Sequence, residues 1–261
     1  MGKLRIDALL VERGLAESRS QAQRLVMAGQ VRVNGQIASK PSNQYSNDAD
    51  VAVLELPRYV SRGGTKLEAA LDAFGLEVTG RVCADVGAST GGFTDCLLQH
   101  GAAKVFAIDV GKGILHWKLR QDPRVVVLEE TNARNLGLLP EPPELITIDA
   151  SFISLKLLLP VVMAWFPDRH GEIIGLIKPQ FEAGKSVTAR GAGVIKDPTI
   201  HRQVIREVLS SAEELGFSVQ GLIRSPLLGP KGNVEFLAHM VLPGNLGPEL
   251  NGLIDLVIRE N

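Results

Sequence analysis

Seven short apolar stretches punctuate the chain from residue 82 onward: VCADV, KVFAIDV, RVVVLEE, LITIDA, EIIGLI, SVQGLIRS and VEFLAHMV, with helical stretches between several of them. Strands that are apolar along their whole length need cover on both faces, and an alternation of strand and helix supplies it. The pattern predicts a doubly wound α/β sheet with parallel strands. The clearest helix is DPTIHRQVIREVLSSAEELGF, with Asp197 as N-cap, Pro198 at the first helical position and Gly216 past the end. Ligands bind such sheets at the carboxyl ends of the strands, so the chemistry is expected there.

The segment ahead of this pattern reads differently. RIDALLVERG and SRSQAQRLVMAG carry apolar residues at helical spacing and end on Gly14 and Gly29, with Ser18 placed to cap the second. QVRVNGQI alternates around Asn34-Gly35, a strong hairpin signal. PRYVSRGG, with Pro57, Gly63 and Gly64, marks a junction. The expectation is a small α+β unit over residues 1–60, with a linker to about 64, and an α/β domain over 61–261. The net charge is only −1, so any affinity for nucleic acid must come from local patches. The first segment supplies one: Lys3, Arg5, Arg13, Arg19, Arg24, Arg32 and Lys40 face only Asp7, Glu12 and Glu17.

DVGASTGGF, residues 85–93, follows the first of the apolar stretches and precedes a helix, which makes it a candidate cofactor-binding turn. A dinucleotide fingerprint needs a glycine where Ser89 stands, and a P-loop needs a lysine where Phe93 stands. Asp85 would repel a pyrophosphate and attract an ammonium group. These features favour S-adenosylmethionine, which carries an amino acid and no phosphate. Gly87, Ser89, Gly91, Gly92 and Phe93 are the remaining candidates at the turn. Asp109, at the end of the next strand, has the spacing of a residue that binds ribose hydroxyls, and Asn132 in TNARN is a candidate contact to an adenine edge.

Other chemistries find little support. Cys83 and Cys96 form no framework or metal-spaced cluster, and the histidines are scattered, so neither a metal site nor a disulfide is expected. The start of the chain has charges throughout, and the longest apolar run, LLLPVVMAWF, is half a membrane span and contains Pro160. A soluble cytoplasmic protein with no membrane partner is the expectation.

Three strand ends add Asp149, Lys178 and Glu235. Singly, each reads as a solvated charge. Lys178 is harder to dismiss, because it ends an almost wholly apolar strand, and a lysine that can lose its proton can act as a base.

SRGGTKLEAAL, DVGASTGGFTD, TIDASFISL, IKPQFE and SPLLGPKGNVEF stand in the order and spacing of the TlyA group of ribosomal RNA 2'-O-methyltransferases, often labelled hemolysins. The leading segment, RIDALLVERGLAESRSQAQRLVMAGQVRVNG, resembles an S4 RNA-binding domain. The resemblance covers nearly the whole chain. It implies a Rossmann-like, FtsJ-like methyltransferase fold that binds S-adenosylmethionine, joined to a small N-terminal α+β S4 domain. It also implies a Lys-Asp-Lys-Glu tetrad, carried over by motif as Lys66, Asp149, Lys178 and Glu235, and cytidines of 16S or 23S rRNA, within subunits or whole ribosomes, as substrate.

A sulfonium methyl is already activated, so what a ribose hydroxyl lacks is alignment and a base. Lys178 is expected to take the proton, helped by the like charge of Lys66, with Asp149 and Glu235 orienting the lysines and the hydroxyl. Carbon-5 methylation of a pyrimidine would use a cysteine nucleophile, and methylation of an amino group would call for a Pro-Pro-aromatic turn where Ala150-Ser151-Phe152 stand. Arg5, Arg19, Arg24 and Lys40 are expected to contact RNA phosphates, with Lys185 a further candidate on the catalytic face. The competing readings are a non-catalytic RNA-binding assembly factor and a hemolysin.

Overall fold

The computed structural model describes residues 2–54, 58–184, 193–244 and 247–259. The chain divides into two units, the first ending at Arg58 and the second beginning at Tyr59.

The first unit opens with β1 (Lys3–Arg5), which pairs antiparallel with β4 (Gln44–Ser46). Between them lie α1 (Ile6–Glu12), α2 (Arg19–Met27), β2 (Val31–Val33) and β3 (Gln36–Ile37), and β5 (Val51–Val53) follows. The Ser18 side chain accepts a hydrogen bond from the Gln21 amide and caps α2. Asn34 and Gly35 both take positive φ between β2 and β3, the conformation a tight hairpin demands. β5 adds to the other edge of β2, and the apolar faces of both helices close over Val31 and Val33.

The second unit is built on one seven-stranded sheet. Its strands are β6 (Val82–Val86), β7 (Lys104–Ile108), β8 (Val125–Leu128), β9 (Leu145–Ile148), β10 (Gly171–Ile177), β11 (Ser218–Arg224) and β12 (Phe236–Leu242), in the spatial order β11-β12-β10-β9-β6-β7-β8. β12 alone runs against the others, so the sheet is mixed where the apolar pattern predicted parallel strands. A strand's direction depends on the connection that reaches it, and VEFLAHMV carries no mark of that. The strand order reverses between β6 and β9, which opens a crevice at their carboxyl ends.

Alternation along β6 sorts its side chains into two layers. Val82, Ala84 and Val86 face a core shared with α6 (Leu155–Met163), α8 (Pro198–Glu214) and α9 (Leu250–Arg259). Cys83 faces the opposite core, under α3 (Gly63–Phe74), α4 (Gly92–Gln99) and α5 (Trp117–Arg120). A one-turn helix, α7 (Pro179–Glu182), follows β10. In α8 the carboxylate of Asp197 accepts a hydrogen bond from the Thr199 amide at 2.8 Å, and Gly216 lies beyond the helix end at φ 96°.

Candidate active site

The turn after β6 is held by backbone. Gly87 and Ala88 both donate N–H groups to the Ile108 carbonyl, and Ser89 donates its own to Asp109 Oδ2 at 2.8 Å. Gly87 takes φ 85°, and a Cβ there would lie 2.8 Å from the Asp149 carbonyl oxygen. The residue must therefore be glycine both for conformation and for close approach to the neighbouring strand end. Beside the turn lies a cavity of about 400 Å³, lined by Gly87, Ser89, Asp109, Asn132 and Asp149 and walled by apolar groups that include Ile108, Ile114 and Ile153. The size suits a nucleoside-sized ligand. One wall is fastened by Glu129, whose carboxylate accepts N–H groups from Gly113, Ile114 and Leu115 and is held down to about 2, chiefly by Arg120.

A second cavity of about 320 Å³ shares Gly87, Ser89 and Asp149 with the first. Lys66, Lys178 and Glu235 line it together with Asp149. Each lysine has its own carboxylate: Lys66 Nζ lies 2.5 Å from Glu235 Oε2, and Lys178 Nζ lies 2.5 Å from Asp149 Oδ1. Lys178 also donates to Ser151 Oγ at 3.1 Å, and Gln180 donates to Glu235 Oε1 at 3.2 Å. Glu235 is 1 % exposed, Lys178 7 % and Lys66 9 %, so charges of this kind persist only because they are paired.

The fold explains why four residues so far apart in sequence meet. Asp149 follows β9 and Lys178 follows β10, both at carboxyl ends. Because β12 is antiparallel, its beginning lies at that same end, and the register Ile177↔Phe236 sets Glu235 beside Lys178. Lys66 reaches in from α3, which lies over the sheet.

The family of FtsJ-like methyltransferases matches residues 59–241, and the S4 domain family matches residues 4–49. Over 263 aligned residues the chain is 46% identical to the 16S/23S rRNA (cytidine-2'-O)-methyltransferase TlyA of Mycobacterium tuberculosis, across 98% of this chain and 97% of that one. The chain belongs to the TlyA group of FtsJ-like methyltransferases. Such enzymes use S-adenosylmethionine. The TlyA-group chain is also 40% identical to a protein named Hemolysin A from Brachyspira hyodysenteriae, over 92% of this chain and all of that one. A solved structure from Streptococcus thermophilus, described as a hemolysin, superposes with a TM-score of 0.73 at 41% identity, covering 100% of this chain and 97% of that one. Among the described residues, no helix is long and apolar enough to cross a membrane.

Not every residue singled out from the sequence reaches a cavity in this TlyA-group chain. Gly87, Ser89, Asp109 and Asn132 line the first; Gly92 and Phe93 line the second; Gly91 lines neither. Asp85 is the clearest correction. It is fully buried and presented to neither cavity, and it accepts hydrogen bonds from Thr94 Oγ1 at 2.7 Å and Thr147 Oγ1 at 3.1 Å. Burial pushes its carboxyl up to about 7. The expected attraction for a ligand's ammonium group is replaced by a structural link between β6, α4 and β9. Alternation from Cys83 was the sign that Asp85 points into the layer under α4. Both cysteines are buried and line neither cavity, and burial pushes the Cys83 thiol up to about 12, which leaves no thiolate for nucleophilic attack at neutral pH.

In the first unit Arg5 and Arg19 converge on the buried carboxylate of Asp7, at 2.8 and 3.3 Å, and Gln23 donates to it as well. Arg24 and Lys40 are exposed. Lys185 lies outside the described residues. Ser151, Gln180 and Glu182 carried no signal in the sequence, because their contacts join loops that only the fold brings together.

Proposed function

We propose that this protein transfers a methyl group from S-adenosylmethionine to a ribose 2'-hydroxyl of ribosomal RNA, a cytidine of 16S or 23S rRNA by analogy with its named relative. The observation that carries the proposal is the junction of two cavities at Gly87, Ser89 and Asp149, one acidic and apolar, the other walled by two lysine–carboxylate pairs.

The first cavity fits S-adenosylmethionine. In this reading Asp109 takes the ribose hydroxyls, Asn132 the adenine edge, and the turn at Gly87 and Ser89 borders the amino-acid portion. When bound there, the cofactor supplies an electrophilic methyl group. The chain's own residues prepare the acceptor. Lys178 in its neutral form takes the hydroxyl proton at Nζ as the oxygen is methylated, and the ammonium so formed is held by Asp149 and Ser151, the pairing seen here. Lys66, fixed by Glu235, places a second positive group across the cavity and orients the hydroxyl. Arg5, Arg19, Arg24 and Lys40 give the S4 unit its hold on RNA phosphates.

Methyl transfer from labelled S-adenosylmethionine to purified 30S subunits, 50S subunits and 70S ribosomes tests the proposal. Label is expected in ribose, and Lys178→Ala is expected to lower the rate by about 10²–10⁴-fold with cofactor binding intact. Substantial turnover by Lys178→Arg, which keeps the charge and cannot release it, overturns the role of Lys178. Cofactor binding without transfer to any of these substrates favours a non-catalytic RNA-binding protein.

A further inference from the structure

The cations around the second cavity are not all partnered alike. Lys66 is matched by Glu235 and Lys178 by Asp149, and a third cation, Arg62, lines the same cavity. Arg62 immediately precedes α3, its side chain is exposed, and among the described residues it makes no hydrogen bond or ion pair. Every other described arginine of the second unit has a partner: Arg81 pairs with Glu172, Arg120 with Glu129, Arg124 with Asp122 and Arg202 with Asp255, and the rest are held likewise. Among the described residues, Arg62 is thus the one cation of that wall with no protein group of its own, and its guanidinium is left to face a ligand.

The chemistry of the acceptor supplies that charge. In a polynucleotide the 2'-hydroxyl stands on the ring carbon next to the one that bears the 3'-phosphodiester. A hydroxyl presented to Lys178 and Lys66 therefore carries a phosphate into the same cavity, where both lysines already have counter-ions. We infer that Arg62 binds the phosphodiester on the 3' side of the target ribose, so that the site selects a nucleotide inside a chain. The planar fork of arginine matches two phosphate oxygens at once. The inference rests on the 2'-O-methyltransferase reading.

Steady-state kinetics of wild type, Arg62→Ala and Arg62→Lys with ribosomal subunits, from 50 to 200 mM salt, test it. Arg62→Ala is expected to raise KM for the subunit about tenfold or more, as loss of a charge-assisted hydrogen bond does. It should also flatten the dependence of log kcat/KM on log salt by about one phosphate contact. The affinity for S-adenosylmethionine, measured by calorimetry, stays at the wild-type value. Arg62→Lys recovers the salt dependence and only part of the KM. An unchanged KM and salt slope, in an enzyme whose wild type labels ribose, overturns the inference alone. Loss of cofactor affinity in Arg62→Ala overturns it in favour of a structural role, and wild-type label outside ribose overturns it together with the reading beneath it.

Discussion

Asp85 and Gly87 stand two residues apart and do unlike things. A carboxyl whose folded value is raised from 3.8 to about 7 by burial binds its proton more tightly in the folded chain than in the unfolded one. Its contribution to stability is whole below about pH 4 and is lost as pH rises through 7. Asparagine has no such proton, so Asp85→Asn is expected to flatten the decline in stability between about pH 4 and 7, read as urea midpoints at pH 5, 6 and 8. Parallel curves for the two proteins would contradict the buried carboxyl. Gly87→Ala, by contrast, drives a Cβ into the Asp149 carbonyl at a positive φ, and cofactor affinity is expected to fall at least tenfold. Gly80→Ala has a comparable φ of 78° and no atom in its way, so it should cost about 1 kcal/mol of stability and leave that affinity untouched. Motif spacing made Gly87 legible in the sequence. The inward orientation of Asp85 was legible only through strand parity, which a ligand motif tempts the reader to overlook.

Among the elements, α7 contributes most to the site for its length. Four residues after Lys178, Glu182 reaches back to the loop that follows β9, accepting hydrogen bonds from the Leu155 amide at 2.8 Å and from Ser154 Oγ. It thereby ties the start of α6 to the turn that carries Lys178, and burial raises its carboxyl. Glu182→Ala removes this cap and is expected to cost about 1–2 kcal/mol in denaturant unfolding. Glu182→Gln keeps an acceptor for Leu155 and should recover most of it; equal losses in the two variants would show that the contact is incidental. Helices with local marks, such as α8 with Asp197, Pro198 and Gly216, could be read directly from their residues. α7 could not, because a single turn carries no periodicity, and its partners lie 27 and 28 residues away.

At the scale of the whole molecule, every residue lining the two cavities at the glycine turn comes from residues 59–261. A fragment of that span is expected to bind S-adenosylmethionine like the full chain and to methylate ribosomal subunits poorly, for want of the basic S4 unit; calorimetry and labelling on one preparation check both halves of the statement. Parallel strands and their ends were visible as apolar runs, but the direction of β12 was not, and with it the reason Glu235 meets Lys66 across 169 positions of sequence. That contact has a consequence for the order in which the protein is made. A ribosome releases this chain from its beginning, so Lys66 emerges early and waits, uncompensated, until β11 and the start of β12 have followed. The residues that line the first cavity end at Leu158, whereas those that line the second run on to Glu235. Until Glu235 has been translated, Lys66 is without the carboxylate it pairs with, and the second cavity lacks one of its walls.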